Sequence, residues 1–313
     1  MTTMKRIQYH RYGGPEVMQF EDFQPGRPGP GEVLVRVKAA AANPMDWKIR
    51  NGELKIMTGR KFPRGLGHDF AGVVAAVGDG VSRLGVGDEV LGGASVKAAG
   101  AFAEMVVAEE TAVVPKPASL SWAEAAAIPI VGLTAFQAMV STSRVHTGQA
   151  VFVHGCLGGV GRAAAQLALA HGATVGGSCR DTAVQEAHDL GIDPVVDFDF
   201  DATKLAGRFD VVFDTAGTLP IRTAKALLRP DGRIIDINPT LAKFVRGTLP
   251  GPFRVLIGKA VTADLDAVAR AAGAGVLRLP VARTVPLDEA IAALTELERN
   301  RTPKGGKLII TTG

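Results

Sequence analysis

Between Gln149 and Val175 the chain spaces its glycines in a way that suits one chemistry, the holding of a pyrophosphate. An apolar run, Ala150 to Val153, meets the turn Gly155-Cys-Leu-Gly-Gly-Val-Gly161, and apolar residues then recur at helical intervals through Val160, Ala164, Leu167 and Ala168. A helix that opens directly from a strand leaves its first N–H groups unpaired, and its macrodipole favours an anion there. Gly158 has no Cβ to keep a phosphate from the backbone, and Gly161 lets helix and strand pack closely. Cys156 stands where G-x-G-x-x-G has its first glycine, so the reading rests on the strand, turn, helix and strand around the motif. Gly155, Gly158, Gly159 and Val160 are therefore cofactor-binding candidates.

The next strand bears on which dinucleotide binds. An Asp or Glu about 20 residues past the glycines bonds the ribose 2′-OH of NAD. Here the stretch reads Thr174-Val-Gly-Gly-Ser-Cys-Arg180, in which Ser178 and Arg180 would receive a 2′-phosphate. That points to NADPH, while Asp181, one position later, is the acid that NADH would need. A thiol at a helix start can also be activated, so Cys156 is either a reactive group or a small residue filling the turn.

At 313 residues the chain has room for about two domains. Its 35 basic and 31 acidic residues are scattered, giving +4 with no like-charge run, so nucleic acid is not an expected partner. Two cysteines make neither a disulfide framework nor a four-cysteine metal site. The start, Met1-Thr-Thr-Met-Lys-Arg6, lacks the apolar core of a signal peptide. The longest apolar stretch, Ala123 to Val140, is broken by Glu124, Pro129 and Gln137 and reads as two helices, not a membrane span. A cytoplasmic protein is the expectation.

The first hundred-odd residues are rich in glycine-punctuated strands. Glu32 to Lys38 alternates as a half-buried strand, and Ala71 to Val77 and Asp88 to Leu91 follow, suggesting a small antiparallel barrel. From the capping-box spacing Ser121-Trp-Ala-Glu124, helix and strand alternate as in a doubly wound parallel sheet. Asp210 to Asp214 and Gly232 to Ile237 are further strands, a last strand is expected over Arg254 to Val261, and Leu287 to Arg299 is an amphipathic helix. Asp46 and Arg50, four apart, suggest an ion pair bracing a loop.

Several motifs occur together along nearly the whole chain: Tyr12-Gly-Gly-Pro-Glu-Val17, Pro30-Gly-Glu-Val-Leu-Val-Arg-Val37, Asn43-Pro-Met-Asp-Trp-Lys-Ile-Arg50, Gly67-His-Asp-Phe-Ala-Gly-Val73, Val86-Gly-Asp-Glu-Val90, the glycine turn, and Gly306-Lys-Leu-Ile309. The set resembles the medium-chain dehydrogenase/reductase superfamily, in its zinc-free quinone oxidoreductase and enone reductase branch. The resemblance implies an α/β fold in which a Rossmann doubly wound sheet is inserted in a GroES-like β-rich catalytic domain. Residues 1–120 would begin the catalytic domain, 121–262 would bind the dinucleotide, and 263–313 would return to the catalytic domain.

The resemblance also implies site residues. Asn43 stands where zinc-dependent members place a cysteine ligand, His68 where they place a histidine, and Ile130 where they place a later cysteine. One ligand in three cannot hold a catalytic metal. Asn43 and His68 are thus catalytic candidates without zinc, Asn43 as a partner of substrate or nicotinamide ribose or simply as a turn former before Pro44. Thr134 would lie beside the nicotinamide, or serve only as a helix residue. The implied activity is NADPH-dependent hydride transfer to a small-molecule quinone or to the C=C of an α,β-unsaturated carbonyl, electrophiles that need little Lewis-acid help. A zinc-free alcohol or aldehyde dehydrogenase and a non-catalytic dinucleotide-binding regulatory or RNA-binding protein are the rival classes. A homodimer is the family expectation.

Overall fold

The computed structural model describes residues 3–95, 99–238, 240–300 and 305–313. It divides into two compact units, Met1–Ile130 with Ala260–Gly313, and Val131–Lys259.

In the first unit, β1 (Met4–Tyr9) pairs antiparallel with β2 (Gln19–Phe23). β3 (Glu32–Ala41) buries Val33, Val35 and Val37 while Arg36 faces out, the alternation that a half-buried strand requires. Two short helices follow, α1 (Pro44–Arg50) and α2 (Lys55–Thr58), and then β4 (Arg64–Gly65), which joins β1. β5 (Asp69–Val77), β6 (Glu89–Gly93), β7 (Met105–Glu109) and β8 (Val113–Pro115) extend a second sheet from β3. Among the described residues β1, β2 and β4 form a three-stranded sheet, while β3 and β5 to β8 belong to a seven-stranded one that two later strands complete. α3 (Trp122–Ala127) begins at the expected capping box: Ser121 Oγ accepts the Glu124 N–H at 3.3 Å, and the Glu124 carboxylate accepts the Ser121 N–H at 2.8 Å. α3 packs on β3 and β5, so the first unit runs on to Ile130, past the expected edge at 120.

After α4 (Pro129–Phe136), the second unit holds β9 (Ala150–His154), α5 (Gly159–Ala170), β10 (Thr174–Ser178), α6 (Val184–Asp189), β11 (Val195–Val196), β12 (Phe209–Asp214), α7 (Ile221–Leu227), β13 (Leu228–Asp236), α8 (Leu241–Thr248) and β14 (Phe253–Val255). All six strands are parallel in the order β11-β10-β9-β12-β13-β14. This is the doubly wound order that reverses direction beside its first strand, where ligands gather at carboxyl ends. β9 is buried throughout, as a central parallel strand must be. The last strand is only three residues long, at the front of the stretch expected to be extended.

The chain then returns to the first unit as α9 (Thr262–Gly273), β15 (Val281–Pro286), α10 (Ala290–Asn300) and β16 (Lys307–Thr311). β16 pairs antiparallel with the end of β3 and parallel with β15, taking the flank of β3 that β7 leaves free past Arg36. No helix among the described residues is long and apolar enough to cross a membrane.

Candidate active site

In the second unit the glycine turn is built as its spacing requires. Gly155 has φ +83°, a left-handed conformation that favours glycine, and its N–H bonds the Ser178 carbonyl at 3.1 Å. Gly158 is the exposed N-cap of α5 and carries no side chain to cap the helix, so the N–H groups of the first turn are free for an outside acceptor. Gly161 meets the turn at close range: a Cβ there would fall well inside contact distance of the Gly155 carbonyl oxygen and 3.0 Å from Cys156 Cα. A helix of twelve residues with an uncapped glycine start and a backbone-lined cradle fits the pyrophosphate of a nicotinamide dinucleotide.

Cys156 is a small residue packed inside the turn. It is wholly buried, and burial pushes its thiol up to about 12. Its side chain occupies the space above Gly177, where a Cβ would lie 2.7 Å from Cys156 Cβ. The residue that replaces a glycine in the turn thus demands one in the neighbouring strand.

Ser178 does not take the place expected of it. Its hydroxyl is fully buried, lies 2.8 Å from His154 Nδ1 and accepts the Gly155 N–H at 3.2 Å. It braces the turn from within instead of meeting a 2′-phosphate, because its side chain falls on the inner face at the end of β10. Arg180, two residues later, is exposed, as is Asp181. Thr134 is on α4, and a Cβ on Gly258 would lie 3.6 Å from its hydroxyl; one turn on, Gln137 donates to the Lys259 carbonyl at 2.8 Å and accepts its N–H at 3.1 Å.

His154 closes β9 between two hydroxyls, Ser178 on Nδ1 and Thr218 at 2.9 Å on Nε2. Burial lowers its pKa from 6.5 to about 4. Between those values the unfolded chain takes up a proton that the folded chain refuses, so stability is lost as pH falls through the window, by up to about 3 kcal/mol. Asp214, raised to about 6 first by burial and then by Asp236, acts with the opposite sign, so a difference between variants isolates the histidine. Melting temperatures of His154→Gln are expected to fall less than those of the parent between pH 6.5 and 4; parallel profiles would refute this assignment.

In the first unit α1 starts at Asn43, whose N–H donates to Asp46 Oδ2 at 2.7 Å with Pro44 next in the first turn. The other carboxylate oxygen, Asp46 Oδ1, lies 2.7 Å from His68 Nδ1. His68 sits just before β5, after Gly67 at φ +91°, where a Cβ would strike the Phe102 ring. It is 1% exposed, and its Nε2 has no hydrogen-bond partner among the described residues.

Asn43, 2% exposed, is spent within the chain. Its Nδ2 donates to Asp69 Oδ2 at 2.9 Å and to the Ala41 carbonyl at 3.2 Å, and its Oδ1 accepts from Lys307 Nζ. Asn43 is therefore a hub that ties α1 to β5 and β16, with both of its side-chain polar atoms engaged within the unit. Asp69 also accepts the Ile130 N–H at 3.0 Å. Burial raises this carboxyl to about 7, opposed first by Lys307 and then by Asn43. Burial likewise pulls the Lys307 ammonium down, against Asp69 and Asp46.

The Asp46–Arg50 ion pair is not formed. Asp46 is held by Asn43 and His68, while Arg50 forks onto both Glu298 oxygens at 2.8 and 2.7 Å and donates to the Gly13 carbonyl at 3.1 Å. Nor does this cluster suit zinc. Ile130 offers only a backbone N–H, Asn43 already holds an ammonium, and no trio of His, Cys, Asp or Glu with metal-site geometry occurs among the described residues. Asp46, Asp69 and Lys307 lie within the quoted motifs, but the motifs alone did not join them into one site. The Asn-Pro-x-Asp spacing was the available signal for Asp46, and a lysine opening the apolar run Leu308-Ile-Ile310 was the signal for Lys307.

Two family models match, alcohol dehydrogenase GroES-like domain over residues 29–118 and zinc-binding dehydrogenase over 190–310. The chain is 34% identical over 247 residues to a chloroplastic quinone-oxidoreductase homolog of Spinacia oleracea, covering 75% of each. It is 31% identical to the quinone oxidoreductase of Homo sapiens, covering 77% of this chain and 78% of that one. The solved quinone oxidoreductase of Coxiella burnetii superposes with a TM-score of 0.89 over 99% of both chains at 29% identity.

Proposed function

This chain belongs to the quinone oxidoreductase branch of the medium-chain dehydrogenase/reductase superfamily, and from that premise we propose that it is an NADPH-dependent, zinc-independent reductase of quinones or of the C=C of α,β-unsaturated carbonyls. As a member it is a nicotinamide-dependent oxidoreductase. The observation that supports the finer reading is the cluster in the first unit, whose donors do not suit a metal, while within the second unit the uncapped, glycine-lined helix start supports a dinucleotide.

The bound dinucleotide would supply a hydride and its electron pair. Gly155, Gly158, Gly159 and Val160 would hold the pyrophosphate through backbone N–H groups, and Thr134 would flank the nicotinamide. His68 would face the acceptor, with Asn43 keeping its surroundings in place. Without a Lewis acid, such chemistry favours acceptors whose developing negative charge is already delocalised, which disfavours unactivated aldehydes. Two buried thiols and a small-molecule acceptor are consistent with a cytoplasmic enzyme.

The cofactor preference rests on Arg180, since Ser178 is turned inward. Arg180→Ala is expected to weaken NADPH binding by roughly 1–3 kcal/mol, the scale of a lost charge-assisted hydrogen bond, and to leave NADH binding nearly unchanged in fluorescence titrations. Equal losses for both would remove the 2′-phosphate assignment. The activity itself is tested by following NADPH and NADH oxidation against quinones, enones and simple aldehydes, with and without a chelator. Turnover of quinones or enones that prefers NADPH and ignores the chelator is the expected result. Chelator-sensitive reduction of aldehydes would overturn it.

A further inference from the structure

The buried pair Asp46 and His68 has a feature that fold stability does not explain. Asp46 is fixed at both oxygens, one by the Asn43 N–H and one by His68 Nδ1, each at 2.7 Å. The imidazole is therefore oriented, and the Ala94 N–H on the His68 carbonyl at 2.8 Å fixes its backbone. Among the described residues Nε2 nonetheless finds no partner, although the residue is 1% exposed. A buried polar atom left unpaired costs about 1–3 kcal/mol, and nearly all such atoms in folded proteins are paired. An imidazole aligned on one side and unpaired on the other is the arrangement of a group whose second partner comes from outside the chain.

We propose that His68 Nε2 gives the proton that completes reduction of the acceptor, with Asp46 as the positioning residue that holds the ring for this transfer. The proposal rests on the hydride-transfer reading above. In the balanced step, the acceptor gains a hydride from the reduced nicotinamide, and its π pair moves onto its oxygen. The new O–H bond forms as the Nε2–H bond breaks, so His68 ends as a neutral imidazole whose Nδ1–H remains on Asp46. Solvent then returns one proton to the ring. Overall one reduced nicotinamide and one proton are consumed for each two-electron reduction.

Other ionisable groups surround the pair. Across the network the charge of Asp46 acts on Asp69, next to His68 on β5, on Lys307 of β16 and on Tyr9 of β1. Because the donor must be protonated, turnover is expected to fall along an alkaline limb as pH rises.

The test compares kcat and KM against pH for the parent chain, His68→Gln and Asp46→Asn, using a quinone and an enone, together with NADPH affinity by fluorescence titration. His68→Gln is expected to lose about 100-fold or more in kcat and to lose the alkaline limb, with NADPH affinity unchanged. Asp46→Asn, whose side chain still accepts the Asn43 N–H, is expected to lower kcat about tenfold or more with KM nearly constant, a split that loosened structure would not give. If Asp46→Asn fails to fold, the limb and kcat of His68→Gln decide. Parent-like kcat with the limb intact in His68→Gln would overturn the donor assignment and leave the hydride reading standing. No turnover of any quinone or enone by the parent would overturn both.

Discussion

Lys307→Met is expected to lower the unfolding free energy by about 3–5 kcal/mol at pH 8.5, the scale of stripping the partner from a buried charge. Lys307 is the leading influence that holds the fully buried Asp69 carboxyl down, and without it the carboxyl must rise beyond about 7. The folded variant then keeps a proton on Asp69 that the unfolded chain, titrating near 3.8, has released, so its stability falls as pH rises. Urea unfolding should show a smaller deficit at pH 6 than at pH 8.5. Adding Asp69→Asn to the variant should recover much of the loss at the higher pH, because no carboxyl then has to stay protonated in the folded state. A deficit independent of pH, or a double variant no better than the single one, would mean that the pair matters only through packing.

Gly161→Ala should be nearly as damaging and should act on binding as well. Its methyl group would press on the Gly155 carbonyl and on Cys156 Cα, both backbone and neither free to swing aside. Helix α5 must then shift from β9, at roughly 3 kcal/mol, and the N–H groups aimed at the pyrophosphate shift with it. Melting curves and NADPH titration of the same preparation separate the effects. A folded variant that binds NADPH as tightly as the parent would show that the cradle is not where the dinucleotide sits.

What could be read from the sequence follows from how local the physics is. The turn at Gly155 to Gly161 was legible because positive φ and close backbone approach exclude other residues, and Ser121 with Glu124 because a capping box is complete within four residues. The inward turn of Ser178 was not, since the face a side chain takes at a strand end depends on where the strand stops. Helical spacing suggested Asp46 with Arg50, yet each found a stronger partner far along the chain, His68 and Glu298. Asn43 illustrates the same limit: its position in the motif was plain, but the ammonium that occupies its carbonyl oxygen comes from the final strand.

That final strand has a bearing on how the protein is made. β16 lines up with Ala39 to Ala41 near the opposite end of the chain, whereas Val131–Lys259 is one unbroken segment. On the ribosome the inserted segment is free to fold as soon as it clears the exit tunnel, but the sheet around β3 waits, one flank open, until Lys307 to Thr311 have been synthesised and released. During that interval the exposed edge of β3 is a template for wrong pairing, so nascent chains stalled before residue 307 should depend on a holding chaperone far more than finished ones.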